Sequence, residues 1–328
     1  MKTENLSRRR WLGIVGVALA ALVSAPAAAQ PYPSHPLRLI VPFAPGGLND
    51  TTARLLQPHL EKALGQPVII DNRPAASGIV GTDAVAKAPP DGHTLLMVAS
   101  SHTVIPATNS KLPYDAERDF APIAMVGQNP LLFVINAKVA AKTLPEFVAL
   151  AKASPGKLNY ATPGAASQSH LVTELFDQKA GITIQHVPYR GGAPAIMSVV
   201  QGETQFAVIS PLASLPHIQS GALRTIAAGS LTRDPQFPDL PTVAEAGYPD
   251  VEAIQWVGLL TTAGTPKEIV ERLNTEIGKI IDKPAIREAW AKQGAVPMTM
   301  TPAAFTTFLK DDIAKWAKVI ETSGLKAP

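Results

Sequence analysis

The stretch RLIVPFAPGGLNDTTARLLQPHLEKALG, residues 38–65, predicts a strand, a tight turn and a helix in direct succession. Its apolar start has the composition of a short buried strand, which stops at the paired glycines of the turn. Leu56, Leu60 and Leu64 then recur four residues apart and so lie on one face of a helix. Another apolar run follows the helix, so the stretch predicts the first strand–turn–helix–strand unit of an α/β fold.

A second stretch, KLNYATPGAASQSHLVTELFDQKAGITIQHVPYRGGAPA at residues 157–195, has the same layout. A short strand precedes the turn at Gly164, either Ser167 or Ser169 supplies a helix N-cap, and Gly181 ends the helix. We interpret the two stretches as equivalent units of two α/β domains. Strands and helices alternate along the rest of the chain, which predicts mostly parallel sheets flanked by helices.

Residues 1–29 have the pattern of a secretory signal peptide. Three arginines at residues 8–10 precede an apolar run from Trp11 to Val23, and small residues end the segment at Ala29. The run Ser-Arg-Arg-Arg-Trp-Leu also fits a twin-arginine signal, with general secretion as the alternative. We expect cleavage near Ala29 and a periplasmic location.

The composition favours a neutral, globular exported protein. The chain has 328 residues, enough for two domains. Without residues 1–29, lysine plus arginine falls from 29 to 25 and aspartate plus glutamate falls from 26 to 25, so the net charge falls from +3 to zero. We therefore expect no nucleic-acid partner. The absence of cysteine excludes disulfides, thiolate metal sites and cysteine nucleophiles.

The motifs do not favour catalysis or cofactor binding. Ser167, Ser169 and His170 are close in sequence, but the G-x-S-x-G elbow of serine hydrolases is absent. None of the seven histidines has a metal-ligand spacing, and the glycine fingerprints of dinucleotide and ATP sites are missing. We expect no catalytic residue, no metal and no cofactor. The following tryptophans are interpreted as core residues: Trp256, Trp290 and Trp316.

The two glycine-containing turns favour anion binding. Backbone N–H groups at a helix start lack intrahelical partners, and the helix dipole places partial positive charge there. Glycine lets a ligand approach the main chain, and ligands of open α/β sheets lie beyond the carboxyl ends of the strands. Two such helix starts facing one cleft would hold an anion, either a carboxylate or a phosphate. The alternative is that the glycines and serines serve only as turns and caps.

An ordered series of motifs resembles one family, the extracytoplasmic solute receptors of the tripartite tricarboxylate transporter type, also called the Bug or TctC family. The series covers essentially all of the chain after residue 31. Its members are YPSHPLRLIVPFAPGGLNDTTAR, LGQPVIIDNRPAASGIVGTDAVAKAPPDGHTLLM, KLPYDAERDFAPIAMV, PGKLNYATPGAASQSHL, HVPYRGGAPA, LPTVAEAGYP and GLLTTAGTPKEIVERLN. Each motif alone is modest, and their order makes the resemblance specific.

The resemblance implies a two-domain periplasmic binding protein of type II-like fold, with a ligand cleft between the domains. It places the crossings between domains near LLFVINA and AIQWVGLL. The implied domains are residues 31–132 plus 255–328 for the first, and residues 133–254 for the second. A monomer is expected.

The resemblance also implies the ligand-binding residues. The first loop supplies Phe43, Ala44, Pro45, Gly46, Gly47 and Asp50, and the second loop supplies Thr162, Gly164, Ala165, Ser167 and His170. Ser100 and Ser101 are expected in the same cleft, with Tyr189, Arg190 and Gly191 as further candidates.

Two departures from the family pattern bear on the ligand. Leu48-Asn49 follows the paired glycines, where many relatives have Gly-Thr, and Ile209-Ser210 stands where relatives often have Asp-Asn. An aspartate at 209 would suit an ammonium or hydroxyl group. Ile209 therefore favours an apolar or aromatic carboxylate over an amino acid, provided that it lines the pocket.

The resemblance implies a receptor that captures a small organic acid and delivers it to membrane subunits of a tripartite tricarboxylate-type transporter. Two alternatives stay open. One is a periplasmic sensor that reports the ligand to a membrane kinase. The other is a hydrolase that uses Ser167, Ser169 or His170.

Overall fold

The computed structural model describes residues 32–323 except 44, 47, 110, 166, 190, 234–236 and 293–294. The expected signal peptide, residues 1–29, lies outside the described residues. In the described chain the strands are β1 Leu37–Val41, β2 Val68–Asn72, β3 Thr94–Ala99, β4 Phe120–Pro130, β5 Leu132–Asn136, β6 Asn159–Thr162, β7 Gln185–Pro188, β8 Phe206–Ile209, β9 Leu223–Ala228, β10 Ile254–Thr262 and β11 Val296–Pro297. The helices are α1 Leu48–Leu64, α2 Ile79–Ala86, α3 Ser101–Thr108, α4 Leu144–Ala153, α5 Gln168–Ala180, α6 Gly192–Gln201, α7 Pro211–Gln219, α8 Lys267–Ile281, α9 Pro284–Ala291 and α10 Pro302–Ser323.

The strands form two sheets that are mixed rather than mostly parallel as predicted. Within the described residues, the order of the first sheet is β11-β4-β10-β3-β1-β2 and that of the second is β7-β6-β8-β5-β9. β1 is parallel to β2 and β3, and β6 is parallel to β7 and β8. β10 is antiparallel to β3 and β4, and β5 is antiparallel to β8 and β9. β11 is also antiparallel to β4. The other antiparallel pairs involve β5 and β10, the strands by which the chain enters one sheet from the other.

Both predicted strand–turn–helix–strand units form parallel βαβ units, β1–α1–β2 and β6–α5–β7. The predicted helix face of α1 is buried, with Leu56, Leu60 and Leu64 at most 6% exposed. Burial of a leucine side chain contributes about 1.5–3 kcal/mol, so this face fixes the helix on its sheet. The second unit ends as predicted, because Gly181 adopts a left-handed conformation at the C-cap of α5.

The chain passes between the sheets at two neighbouring segments. Leu131 separates β4 from β5, and Ala253 immediately precedes β10. The backbone N–H of Leu131 donates to the carbonyl of Ala253 at 2.8 Å. The Gly229 N–H donates to the Leu131 carbonyl, and the Gly229 carbonyl accepts from the Ala253 N–H, each at 2.8 Å. Hydrogen bonds among these three residues therefore join the crossing segments. The predicted domain limits at 132/133 and 254/255 stay a prediction.

The last helix, α10, packs on both halves of the fold. It contacts α3, which follows the first sheet's β3, and α5, which belongs to the second unit. Trp316, Val319 and Ile320 of α10 share a core cluster with Leu171 and Phe133, among others. No described helix is long and apolar enough to cross a membrane. The arrangement is a two-domain α/β fold with mixed sheets, as expected for a periplasmic binding protein.

Candidate functional site

A cavity of about 860 Å³ lies between the two sheets. It opens at the carboxyl ends of β1 and β3 in the first sheet and β6 in the second, where α/β folds bind ligands. The residues that line it are Pro42, Phe43, Leu48, Asn49, Pro74, Ile79, Ala99, Ser100, Ser101, Val104, Ile105, Thr108, Asn109, Pro163, Gly164, Ala165, Ser167, Gln168, Gln255, Trp256 and Val257.

Three helices begin at this cavity. α1 contributes Leu48 and Asn49, α3 begins at Ser101, and α5 contributes Gln168 after its N-cap. Two of these helices come from the first sheet and one from the second. Residues at the amino ends of helices from both sides therefore line one volume, and the N–H groups and positive dipole ends of helix starts favour an anion.

None of the described lining residues carries an ionisable side chain. A charged ligand in the cavity therefore forms no ion pair with a side chain of this described lining. Helix termini, hydroxyl groups and amides are the groups available to it. Main-chain recognition of this kind needs glycine-containing turns, since a Cβ would hold the ligand away from the backbone.

The first loop is held by a buried carboxylate. The Oδ2 atom of Asp50 accepts hydrogen bonds at 2.9 Å from the Gly46 backbone N–H and from Nε of Arg54, and its Oδ1 accepts one from Asn72 at 2.9 Å. Burial tends to raise the pKa of Asp50, but the hydrogen bonds from Arg54, Gly46 and Asn72 outweigh it and lower the pKa. Gly46 has a φ of 83°, which favours glycine. Asp50 thus shapes the loop and does not line the cavity.

The second loop is held by Thr162 and Ser167. The Thr162 hydroxyl donates to the Gly164 carbonyl at 3.0 Å, and the Ser167 hydroxyl oxygen accepts from the His170 backbone N–H at 3.3 Å. Ser167 is therefore the N-cap of α5, one of the two caps that the sequence allowed. Gly164 has a φ of 156° and lines the cavity.

A stack of aromatic rings lies beneath the second loop. The His170 and His186 ring centroids are 3.8 Å apart, and Nε2 of His186 lies 2.7 Å from the Thr162 hydroxyl. The Tyr160 hydroxyl donates to Glu174 at 2.6 Å, and Nε2 of His170 lies 3.5 Å from the same carboxylate oxygen. Burial and the neighbouring His170 lower the pKa of His186 to about 4. These groups support the loop from inside the domain.

The cavity floor is the crossing strand β10. Its Trp256 is 2% exposed, and the backbone N–H of Trp256 donates to the Ser100 hydroxyl at 2.9 Å. The indole N–H of Trp256 donates to Asp312 of α10 at 3.3 Å, and Thr103 of α3 donates to the same carboxylate at 2.6 Å. The Asp312 carboxylate of α10 therefore joins β10 and α3 through these two hydrogen bonds.

Two polar side chains at the helix starts have unmet hydrogen-bonding capacity. Oδ1 of Asn49 and Oε1 of Gln168 are buried and have no partner among the described residues. Nε2 of Gln168 donates to the Ile254 carbonyl, which fixes this side chain against β10. Buried polar atoms without partners are costly, so a ligand or ordered water is their expected partner.

The structure brings part of the predicted residue set to the cavity. The predicted residues that line it are Phe43, Ser100, Ser101, Gly164, Ala165 and Ser167. Those that lie outside its lining are Pro45, Gly46, Asp50, Thr162, His170, Tyr189 and Ile209. Ala44, Gly47 and Arg190 lie outside the described residues. A ligand-binding role for any of them stays a prediction.

Ile209 is buried in the second domain instead of facing the cavity. It is 2% exposed, and its cluster includes Leu132 of the neighbouring strand β5 and Ala228 of β9. The inference that Ile209 selects the ligand directly therefore has no geometric support. Leu48 does line the cavity, and its side chain adds apolar surface at the start of α1.

Sequence reasoning missed most of the apolar wall and floor. The lining residues it did not name include Ile79, Val104, Ile105, Gln168 and Trp256. The pattern carried one usable signal for Gln168, its place directly after the Ser167 cap. Trp256 was interpreted as a core residue, and it is both core and cavity floor.

The residues of the hydrolase alternative do not converge on a reacting position. The Ser167 hydroxyl oxygen serves as a helix cap, and the Ser169 carbonyl accepts a hydrogen bond from Thr173. The His170 ring stacks on His186 and contacts Glu174. The arrangement is that of a loop support.

Comparisons with known proteins agree with this architecture. The family model described as tripartite tricarboxylate transporter family receptor matches residues 52–325. The protein BugT of Bordetella pertussis is 39% identical over 324 residues, which cover 98% of this chain and 99% of BugT.

Solved structures show the same similarity. The structure of a periplasmic transporter is 35% identical, with a TM-score of 0.77 over 90% of this chain and 100% of that chain. The R. palustris protein Rpa4515, solved with adipate, is 31% identical, with a TM-score of 0.77 over 89% of this chain and 98% of its own.

Proposed function

The chain belongs to the tripartite tricarboxylate transporter receptor family, a family of solute-binding receptors rather than enzymes, and we propose that it captures a small organic carboxylate in the cavity between its sheets. The observation that carries the proposal is that, among the described residues, the lining at the three helix starts has no ionisable side chain. Such a site compensates a carboxylate with main-chain N–H groups and dipoles. It offers no fixed counter-charge to a cation.

The apolar part of the cavity favours an acid with a hydrocarbon segment. Val104 and Ile105 of α3 lie on one wall, Leu48 lies at the start of α1, and Trp256 forms the floor. A dicarboxylate with methylene groups, or an aromatic acid, would bury its apolar atoms here while its carboxylates reach the helix starts. The relative Rpa4515 with bound adipate supports the dicarboxylate choice.

The expected affinity is within reach of this chemistry. A micromolar dissociation constant corresponds to about 8 kcal/mol. Hydrogen bonds to a charged group contribute about 1.5–3 kcal/mol each, and each buried methylene contributes about 0.8 kcal/mol. A few main-chain hydrogen bonds together with three or four buried methylenes therefore supply a binding free energy of this size.

We propose that the two domains close on the ligand about the Leu131, Gly229 and Ala253 hinge. The cavity volume of about 860 Å³ lies near the upper end of the range for small-molecule sites, so closure would tighten it around a small acid. The closed form would then present the acid to membrane subunits of a tripartite tricarboxylate-type transporter. Loss of uptake of that acid on deleting the gene would test this delivery step.

The proposed location is the periplasm, after cleavage near Ala29. The basic, apolar and small-residue order of residues 1–29 supports export. Amino-terminal sequencing of the protein from a periplasmic fraction would test it, and a start near residue 30 is expected. Retention of residues 1–29 in a cytoplasmic fraction would contradict it.

A ligand screen tests the function directly. The exported protein would be unfolded, refolded to remove bound ligand, and heated with dicarboxylates, tricarboxylates, aromatic acids, amino acids and the matching uncharged amides. We expect a rise in melting temperature with one class of acid and none with its amide. Calorimetry then gives the affinity. Equal shifts with an acid and its amide, or no shift with any acid, would overturn the proposal.

A further inference from the structure

Three metal-ligating side chains meet at one edge of the first sheet. His35 lies two residues before β1, and Asp91 and His93 lie in the turn that leads into β3. Each offers one ligand atom, and the three atoms lie within 4.8 Å of one another. We propose that His35, Asp91 and His93 bind one divalent transition-metal ion of the zinc type.

Strand pairing holds the two segments together. β1 and β3 are parallel neighbours, with Arg38 in register with Thr94. The Arg38 backbone N–H also donates to the His93 carbonyl at 2.7 Å. The amino ends of parallel strands lie at one edge of a sheet and the carboxyl ends at the other. The three side chains are therefore at the edge opposite the cavity, so this site is separate from the carboxylate site.

The turn before β3 preorganises two of the three ligands. Oδ1 of Asp91 accepts the His93 backbone N–H at 2.9 Å, and Nδ1 of His93 lies 3.2 Å from the Asp91 carbonyl. Gly92 between them has a φ of 78°, which favours glycine and a tight turn. His93 is only 8% exposed, so its ring has little freedom to leave the site. Orientation of a histidine ring by a carbonyl or carboxylate is a regular feature of metal sites.

His35 is more exposed than His93 and can move toward it. Its ring stacks on the His93 ring with centroids 3.7 Å apart, and its side chain is exposed. Zinc bonds to nitrogen and oxygen are about 2.0–2.2 Å long, so the ligand atoms must approach one another when the ion binds. The exposed side chains of His35 and Asp91 can make this movement. Two imidazoles and one carboxylate suit Zn²⁺, and water would complete the coordination.

The sequence offered no ligand spacing for this site, which explains why no metal was expected. Asp91 and His93 form a short pair, but the third ligand is His35, far away in the sequence. Only the parallel pairing of β1 with β3 brings it close. Binding would tie the segment that precedes β1 to the turn before β3, and would stabilise the folded chain.

Calorimetric titration of the untagged exported protein with ZnCl₂ tests the proposal. We expect saturable binding of one Zn²⁺ per chain. The variants His35→Ala and Asp91→Asn should each weaken it at least tenfold. His217→Ala, a change at a partly exposed histidine of α7, is the matched control and should bind as the parent does. No saturable binding, or unchanged affinity in His35→Ala, would overturn the proposal.

A second readout identifies the ligands without relying on a variant that might misfold. In ¹⁵N-edited spectra of the histidine rings, Zn²⁺ should shift the signals of His35 and His93 while the other five histidines stay unchanged. The ion should also raise the melting temperature, with EDTA reversing the rise. Shifts confined to other histidines would contradict the assignment. A bound carboxylate should leave the Zn²⁺ affinity unchanged, since the two sites lie at opposite edges of the first sheet.

Discussion

Asn49 of α1 and Gln168 of α5 line the same cavity from helices that flank different sheets. Each has a buried side-chain oxygen without a partner among the described residues. Each lies in the first turn of a helix that begins at the cavity. Because Nε2 of Gln168 donates to the Ile254 carbonyl, its Oε1 is the end of the amide that has no partner among the described residues. An acceptor suits a ligand hydroxyl, or a water that donates one hydrogen to Gln168 and the other to a carboxylate.

Gln168→Glu should weaken an anionic ligand at least 100-fold. The new carboxylate would lie a few ångströms from the bound acid, where like charges repel by about 3–4 kcal/mol at an effective dielectric constant of 20. Gln178→Glu, on the exposed side of the same helix, is the control and should keep the affinity within about twofold. Calorimetry with the acid found in the screen measures both. Equal losses in the two variants would show that the effect is not local to the cavity.

Asp50→Ala should disrupt the first loop. The Gly46 N–H and the Asn72 amide lose a charged acceptor, which predicts a stability loss of about 2–3 kcal/mol and at least a tenfold loss of ligand affinity. Arg54→Ala removes only the guanidinium partner, whose side chain is 54% exposed, and should cost less stability than Asp50→Ala. Urea unfolding and calorimetry distinguish the two. A milder effect of Asp50→Ala than of Arg54→Ala would refute the role given to Asp50.

The sequence predicted the elements that local patterns encode. The leucine repeat of α1, the Ser167 cap and the Gly181 stop all have short-range causes, and the structure has each of them. The direction of β5 and β10 could not be predicted in this way. It depends on how the chain leaves one sheet and enters the other, which involves residues far apart in sequence.

The site was predicted where it uses glycine turns and helix starts, and missed where it uses the tertiary fold. The resemblance implies Ser100 and Ser101 as cleft residues, and both line the cavity after β3. Trp256 lies in a crossing strand, and its apolar neighbours gave no sign that one face would form a cavity floor. His35 and His93 meet only because β1 pairs with β3.

A matched pair of substitutions separates cavity wall from core. Ile105→Val removes one methylene from the cavity wall and should weaken an apolar acid about fourfold, since a buried methylene is worth about 0.8 kcal/mol. Ile209→Val removes the same group from the second domain's core, where we expect a stability loss of about 0.5–1.5 kcal/mol and an unchanged affinity. A larger affinity loss for Ile209→Val than for Ile105→Val would restore Ile209 to the site.

Asp177 should make stability fall with rising pH. Burial raises the pKa of its carboxyl to about 8. The hydrogen bond from the Ile184 N–H lowers this pKa, and the nearby negative charge of Glu174 raises it. The folded chain therefore keeps a proton that the unfolded chain releases near pH 4, and this contribution is lost as the pH rises from about 4 to about 8. Asp177→Asn should remove it. We expect the difference in melting temperature, variant minus parent, to increase steadily as the pH rises from about 4 to about 8. A constant difference across these pH values would contradict the raised pKa.

Gly229 should be intolerant of any side chain, because a Cβ there would lie 2.5 Å from the Ala253 Cβ and 2.9 Å from the Leu131 carbonyl oxygen. Both atoms belong to the hinge, so they cannot give way without parting the crossing segments. Gly229→Ala should cost about 1–3 kcal/mol in stability and reduce the ligand-induced fall in the radius of gyration measured by small-angle X-ray scattering. Gly278→Ala is the control, since a Cβ at that helical position meets nothing within 4 Å and should leave closure unchanged. If Gly229→Ala closes on the ligand as fully as the control does, the crossing segments at Leu131 and Ala253 are not the hinge, and closure must occur elsewhere in the chain.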